Sequence, residues 1–558
     1  MTVRLHRPAP GRAARAAALP LLLLAGGCRA VGPDYARPGV ELPATFRDAD
    51  AVSPAGPAAA SFADLPWWRV FEDPVLQEHL RTALAGNEDL RAALARVAEA
   101  RARAGIAAAD RFPQVEAGLT GSRDRASREL GGSGSRTTNT FRASVSASWE
   151  IDLWGRVRRG EEAAVAEWMA SEEGRRAVVV TLVGDVAEAY FDLRELDEEL
   201  VIAQETRDAR RKTLSLFSER ALGGVSSKLE TAQAQADLAF AEAAVPDIAR
   251  RVAQQENLIS FLLGRTPGPV ARGVSLGTRP LPPALPTGLP AALLERRPDV
   301  RAAEAEVRAA NARVGVAMAE FFPRLDLLAL LGLGARDLSD LAGDRATYGS
   351  LGGTFLGPVF QGGRLVAGRD AAQARYDEAV ARFRRTVESA FRDVADQLAA
   401  VRGAREVRIA LEQQVAALTE ALDLSSTRYG NGVAAYFEVL DAQRALFPAR
   451  IELARTRRDQ YVALIRLYRA LGGGWADEGC GVPTPTAPAA PGPSAAGPAA
   501  SRDRARRRRA RGAAARTRRD AHAGPRAGPA PTPAPATGGA GTSGGTPPPT
   551  PAASGALR

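Results

Sequence analysis

Histidine is almost missing from this sequence. Of 558 residues only His6, His79 and His522 are histidines, and two of these lie near the extreme ends. No cluster of imidazoles is available to hold a metal, and no histidine-based catalytic triad can be assembled. Cysteine is as scarce: Cys28 and Cys480 lie far apart, the second in a low-complexity tail, so there is no disulfide framework. No glycine loop of the phosphate-cradling kind follows a strand. These absences leave no candidate catalytic residue and no candidate metal ligand set, and the chain reads as a non-enzyme. Lysine is nearly absent too, because 72 of the 74 basic residues are arginine.

The formal net charge of +10 invites a nucleic-acid reading until it is divided along the chain. Residues 1–28 carry +4 and residues 476–558 carry +8, which leaves 29–475 at −2. The basicity belongs to the ends and says nothing about the fold. The tail from about Ala476 is rich in Pro, Ala, Gly, Thr and Arg, includes RDRARRRRARG (Arg502–Gly512), and cannot bury a core. An RNA- or surface-binding arm is one reading of it. The arginine bias of the whole chain favours a bland extension, so no nucleic-acid partner is expected.

At the N-terminus a basic stretch precedes the apolar run AAALPLLLLAGG and then Cys28. That is the layout of a secretory signal peptide. The run is too short for a membrane-spanning helix, which needs roughly 20 apolar residues. LLAGGC resembles a bacterial lipobox, in which the cysteine becomes the lipidated first residue of the mature chain. Residues 1–27 are then a leader, and Cys28 carries a covalent diacylglycerol and an N-acyl chain. Arg29 stands where an Asp would often retain a lipoprotein at the inner membrane.

The body repeats itself. RALGGVSSKLETAQAQADL (Arg220–Leu238) returns 208 residues later as RYGNGVAAYFEVLDAQRAL (Arg428–Leu446). DLRAALARVAEARARAGIAAADRFPQV (Asp89–Val115) returns as DVRAAEAEVRAANARVGVAMAEFFPRL (Asp299–Leu325) at an offset of 210. Two copies of one unit are therefore expected at 66–264 and 291–475. A lipidated extended segment (28–65) precedes them, a Pro-rich linker (265–290) joins them, and a disordered tail (476–558) follows.

In each copy a helix of about 25 residues runs into Phe-Pro, at Phe112-Pro113 and Phe322-Pro323. A pair of alternating segments follows, at Val115–Gly121 with Phe141–Leu153, and at Leu325–Leu333 with about Leu351–Phe360. The best of them, FRASVSASWEIDL, places Phe141, Val145, Trp149 and Ile151 on one face and Ser, Arg, Glu and Asp on the other, the period of a half-buried strand. Then Gly155–Leu222 and Gly363–Tyr429 run for 68 and 67 residues without a proline. At 1.5 Å per residue each reaches about 100 Å as a helix. After a GGVS or NGVA turn a shorter helix returns. Four amphipathic strands without other β-structure leave two options. They form a small soluble sheet, or several chains pool them, because membrane barrels need about eight strands to close.

CRAVGPDYARP (Cys28–Pro38), LPWWRVFEDPVLQEHL (Leu65–Leu80), EIDLWGR (Glu150–Arg156), LLERRPDVRAAEAEVRAANARVG (Leu293–Gly315), FPRL (Phe322–Leu325), VFQGGRL (Val359–Leu365), RYGNGVAAYFEVLDAQRALFPA (Arg428–Ala449) and LGGGW (Leu471–Trp475) cover the chain from about residue 20 to 475. In these motifs the sequence resembles the TolC-like outer-membrane efflux proteins, specifically the NodT-type lipoproteins of tripartite pumps. The resemblance implies a mostly α chain with a membrane β-barrel portion. It implies a homotrimer in the outer membrane, whose pooled strands close a 12-stranded barrel continued by a long periplasmic α-helical barrel. A periplasmic adaptor and an inner-membrane pump of the RND type are the implied partners.

Two sites are implied with it. An acidic iris at the periplasmic tip matches Glu438 and Asp441, which the i, i+3 spacing puts on one helix face. Glu230 is the first-repeat counterpart of Glu438, and the resemblance pairs it with Tyr429 in an inter-helix hydrogen bond. A basic residue of that lock matches Ala434, so part of the lock is missing. Adaptor-docking turns match Gly224, Val225 and Ser226 in the first repeat and Gly432, Val433 and Ala434 in the second. A type I secretion channel of the same fold, or a coiled-coil lipoprotein tethering the envelope, are the alternatives.

Overall fold

The computed structural model describes residues 30–41, 43, 45–47, 73–125, 137–278 and 292–473. The leader, Cys28, residues 279–290 of the linker, Trp475 and the basic tail lie outside the described residues. Twelve elements follow in order: α1 (Pro74–Gly86), α2 (Glu88–Ala109), β1 (Gln114–Arg125), β2 (Thr137–Ile151), α3 (Arg156–Leu222), α4 (Lys228–Leu262), α5 (Leu293–Arg296), α6 (Pro298–Ala319), β3 (Arg324–Ala335), β4 (Thr347–Leu356), α7 (Arg364–Gly430) and α8 (Tyr436–Ala470). From α2 onward the second half retraces the first: helix, two strands, a 67-residue helix and a 35-residue return.

The proline-free stretches are single helices, as expected. Each starts at a glycine with positive φ, Gly155 at 83° and Gly363 at 82°. The strands are displaced from the expected bounds. β1 runs on to Arg125 and β2 starts at Thr137, because Ser122–Arg125 pair with Thr137–Thr140 although their side chains break the alternation. β4 ends at Leu356, ahead of Pro358, which has no N–H for the ladder.

The four strands form one antiparallel sheet in the order β1-β2-β3-β4. Its register lines up one face. Ala117 lies opposite Val145 and Val145 opposite Leu331, while Trp149 faces Leu327 and Ala329 faces Leu351. That face is apolar across all four strands, and within the chain it is open: Leu119 is 84% exposed and Leu351 86%. The opposite face carries Glu116, Ser144, Ser146, Ser148 and Asp326, interrupted by Leu328 and Leu330. β1 and β4 are both edge strands. At the lower end of β2 the indole of Trp149 donates to the Arg111 carbonyl at 2.9 Å, and that of Trp154 to the Pro323 carbonyl at 2.7 Å. The two tryptophans thus tie the sheet to both Phe-Pro corners.

The main core lies where α1, α3, α4, α7 and α8 meet. Leu76, Leu80, Val186, Tyr190, Phe191, Leu193, Ile259, Leu398 and Leu467 are all excluded from water there. Phe191 and Tyr461 stack at 4.6 Å with their planes 3° apart. Asp73 caps α1 by accepting from Val75 and Leu76, and its second oxygen accepts the Tyr190 hydroxyl at 2.8 Å. The same hydroxyl accepts from the Gly273 amide at 2.9 Å, which fastens the segment after α4 to the middle of α3. His79 is buried in this knot, within 3.1 Å of the Ala271 carbonyl.

A ladder of ion pairs sets the register of α8 on α3. Arg469, Arg466, Arg458, Arg457, Arg455 and Arg450 meet Asp185, Glu188, Asp192, Glu198, Glu199 and Glu205 at 2.8–3.4 Å. Partly exposed pairs of this kind contribute about 0–1 kcal/mol each, so alignment is their larger effect. The rung at Glu199 differs because that side chain is fully buried. It is held by Arg455 of α8 at 2.8 Å and by Arg251 of α4, with Glu195 one turn away. Burial and the adjacent Glu199 push the Glu195 carboxyl up to about 8. Burial alone would raise Glu199, but hydrogen bonds from Glu195 and Arg251 hold it below the usual range.

Candidate functional site: the two helical turns

The long helices end in two turns that are near copies. In both, a glycine with φ above +70° (Gly224 at 76°, Gly432 at 72°) follows the last helical turn. That conformation is open to glycine and strained for other residues. The Val225 amide donates to the Arg220 carbonyl at 2.9 Å, and the Val433 amide to the Arg428 carbonyl at 3.0 Å. Val225 and Val433 point outward, 81% and 69% exposed, with Ser226 and Ala434 half-buried beside them.

Beyond the glycine the turns diverge. Ser227 caps α4 through a reciprocal capping box: its hydroxyl accepts from the Glu230 amide while the Glu230 carboxylate accepts from the Ser227 amide at 2.8 Å. Glu230 also accepts from the Ser226 hydroxyl at 2.8 Å. The Ser227 amide first, and then the Ser226 hydroxyl, lower the pKa of this carboxyl. In the second turn Ala435 occupies the cap position and offers no side-chain acceptor. Glu438 is therefore not drawn into a cap. Its carboxylate lies exposed, 3.4 Å from Arg428. Asp441 is exposed one turn further along α8, on the same face as the spacing required.

The hydrogen bond between Glu230 and Tyr429 is not formed, which corrects the expectation. Glu230 is claimed by its own turn, and Tyr429 instead accepts from Arg220 at 2.9 Å. The Arg220 guanidinium also lies 5.4 Å over the Tyr429 ring. Phe217, Tyr429 and Tyr436 cluster beneath it, with Phe217 and Tyr436 edge-to-face at 4.4 Å. Burial pushes the Tyr436 hydroxyl up to about 12. Two turns above, Asp237 of α4 accepts from the guanidinium of Arg444 at 3.0 Å. Arg210 donates to the Asp237 carbonyl at 2.8 Å and is packed against the rings of Phe240 and Phe447. Burial lowers the pKa of this guanidinium. Neither Arg210 nor Arg444 was a sequence candidate. The repeat cannot show them, because the partners of Asp237 and Arg444 at the 208-residue offset are Ala445 and Ala236.

A four-stranded sheet with open edges, set between helices that end in two helical hairpins, is the chain fold of the outer-membrane efflux channels. Solved structures with this arrangement include the outer-membrane channel OprN, with a TM-score of 0.73 and 31% identity over 80% of this chain and 99% of that one. The open state of the Neisseria gonorrhoeae MtrE outer membrane channel gives 0.72 and 31% over 80% and 99%. Among curated proteins, the solvent efflux pump outer membrane protein SrpC of Pseudomonas putida is 35% identical over 82% of this chain and 97% of its own length. The cation efflux system protein CusC of Escherichia coli is 34% identical over 80% and 96%. The model of the outer membrane efflux protein family matches residues 79–265 and 289–473, and the chain belongs to that family. It is an outer-membrane protein of efflux, in a family of channels rather than enzymes.

Proposed function

We propose that this protein is the exit duct of a tripartite efflux pump, conducting small toxic compounds passively from an RND-type inner-membrane pump and a periplasmic adaptor through the outer membrane. Three copies close a 12-stranded barrel by pairing β4 of one chain with β1 of the next. The apolar face that carries Phe141, Val145, Trp149 and Ile151 meets lipid, and the Ser, Arg and Glu face lines the lumen. Their long helices continue it as an α-helical barrel. Lipid on Cys28, exposed by removal of residues 1–27, anchors each chain. The turns at Gly224–Ser226 and Gly432–Ala434 dock the adaptor. Glu438 and Asp441, free of any cap, ring the constriction at the tip, where six carboxylates in a trimer form a cation-binding gate. Cargo is set by the pump, and the relatives named for solvents and for cations span that range.

The observation that carries the reading is the sheet: two unpaired edges and one apolar face open to the surroundings, on a chain with no helix apolar enough to cross a membrane among the described residues. Gel migration tests it. Protein extracted in mild detergent should run unheated as a trimer and collapse to a monomer on boiling. A monomer or dimer at every temperature would support the envelope tether instead.

A further inference from the structure

The two hairpins of the sheet are built to one rule. Gln114 lies opposite Ser148 in the first, and Arg324 opposite Leu356 in the second. The offsets are 210 residues on the first strand and 208 on the second, the same two as in the sequence repeat. Leu119 opposite Ala143 maps in the same way onto Ala329 opposite Leu351. Every rung of the second hairpin is the image of one in the first, and no bulge interrupts either ladder. Between the hairpins β2 meets β3, with Ala147 opposite Ala329, Ser146 opposite Leu330 and Arg142 opposite Gly334. That junction has no image within the chain, because β4 and β1 are the outer edges of the sheet.

Applied to the β2–β3 junction, the two offsets place Phe355 opposite Leu119, Thr354 opposite Thr120 and Ser350 opposite Asp124. This pairing keeps the faces of the sheet apart. Leu119 and Phe355 are bare in the single chain and here cover each other. Thr120 and Thr354 put a pair of hydroxyls on the polar face, where β3 carries Leu330. Leu351 falls opposite Arg123, whose aliphatic stem can lie along it. A slip of one residue would set Phe355 against Thr120 and mix the faces. Below the sheet the mapping carries no ion pairs over. Arg466 on Glu188 and Arg469 on Asp185 fix α8 on α3 within the chain. Their images are Leu258 with Asp396 and Phe261 with Asp393, and both apolar side chains are open. Those charge rungs, which align the halves of one chain, have no counterpart between chains, so the strands are left to set that alignment.

We infer that β4 of one copy pairs with β1 of the next in this one register, Phe355 on Leu119 and Thr354 on Thr120, and that this seam rather than an ion-pair ladder aligns the copies. The inference rests on the trimeric reading and adds to it the residues that meet. A second copy is the occupant of both edges because the seam continues an interface already formed inside the chain, that of β2 with β3. Within one chain the two edges are three strand spacings apart, about 14 Å, too far for a disulfide without a neighbour.

The test oxidises cysteine pairs in the full-length, detergent-extracted protein carrying Cys480→Ser. Leu119→Cys with Phe355→Cys and Thr120→Cys with Thr354→Cys probe adjacent rungs, one of which is of the close, non-hydrogen-bonded kind. Ala117→Cys with Phe355→Cys and Ser122→Cys with Thr354→Cys probe slips of two residues in either direction. Boiled, unreduced samples should show a covalent trimer from an in-register pair, with a yield about fivefold above both slipped pairs. Either in-register pair carries the test if the other variant fails to assemble. Salt at about 1 M, which screens exposed ion pairs, should leave the yield unchanged, and a yield that falls would put ion pairs back in charge of the seam. A slipped pair that cross-links best would overturn the register and leave the channel reading intact. So would the absence of any cross-link in a protein that still runs unheated as a trimer. A parent protein that never runs as a trimer would overturn the channel reading itself, and the register with it.

Discussion

α3 and α7 are the same length, occupy the same place in the repeat and carry the same combined share of Ala, Arg and Glu, with more Glu in α3 and more Ala in α7, yet they live in different surroundings. Twenty-four residues of α3 are buried within the chain, against seven of α7. α3 packs on α1, α2, α4, α6 and α8, whereas α7 packs on α6 and α8. Val366, Val407, Ile409 and Leu424 of α7 remain open. Neighbours, and not composition, decide what a long helix buries. In the trimeric reading these open positions of α7 are ones that other copies cover.

The largest expected effect breaks the comparison directly. Val186→Asp places an unpaired charge in the closed core of α3, at a cost of several kcal/mol, and no folded protein should reach the membrane. Ile409→Asp, at an open position of α7, should leave helical content by circular dichroism unchanged and remove the heat-labile trimer band. A retained trimer would mean that α7 is bare for another reason. Phe191→Ala comes next, with a loss of about 3–5 kcal/mol in chemical unfolding, from the cavity it leaves against Tyr461.

The buried carboxyl pair belongs to α3 alone. Because the folded state raises the Glu195 pKa, its contribution is complete at low pH and is lost as pH climbs from about 4.5 through about 8. The unfolding midpoint should therefore fall from about pH 4.5 to about 8, and Glu195→Gln should flatten that slope. The smallest effect concerns the two turns. Ser227→Ala should cost about 1 kcal/mol through loss of the cap. Ala435→Ser should restore an S-x-x-E box with Glu438 and return about 0.5–1 kcal/mol, while drawing Glu438 away from Arg428. Thermal denaturation of the paired variants reads both changes.

Much of this architecture was legible in the residues. Sixty-eight positions without proline from Gly155 to Leu222 admit one helix, and the alternation from Phe141 to Leu153 admits one strand. The ends of β2 and β4 were not legible, because Thr137–Thr140 and the Gly349–Gly353 segment are held by backbone pairing, which side-chain pattern does not report. The first turn carried a local signal that resemblance overrode. Ser227 and Glu230 spell a capping box, and that box, rather than a lock with Tyr429, takes the carboxylate. Arg444 meets Asp237 across 207 residues of sequence and Arg210 meets it across 27, separations at which no spacing rule speaks.

Single-channel recording of the purified protein in a planar bilayer tests the central claim most directly. The account predicts discrete steps from a channel that is closed most of the time and blocked by divalent cations, with the block lost in Glu438→Ala, Asp441→Ala. A protein that gives no unitary steps under any condition would contradict it.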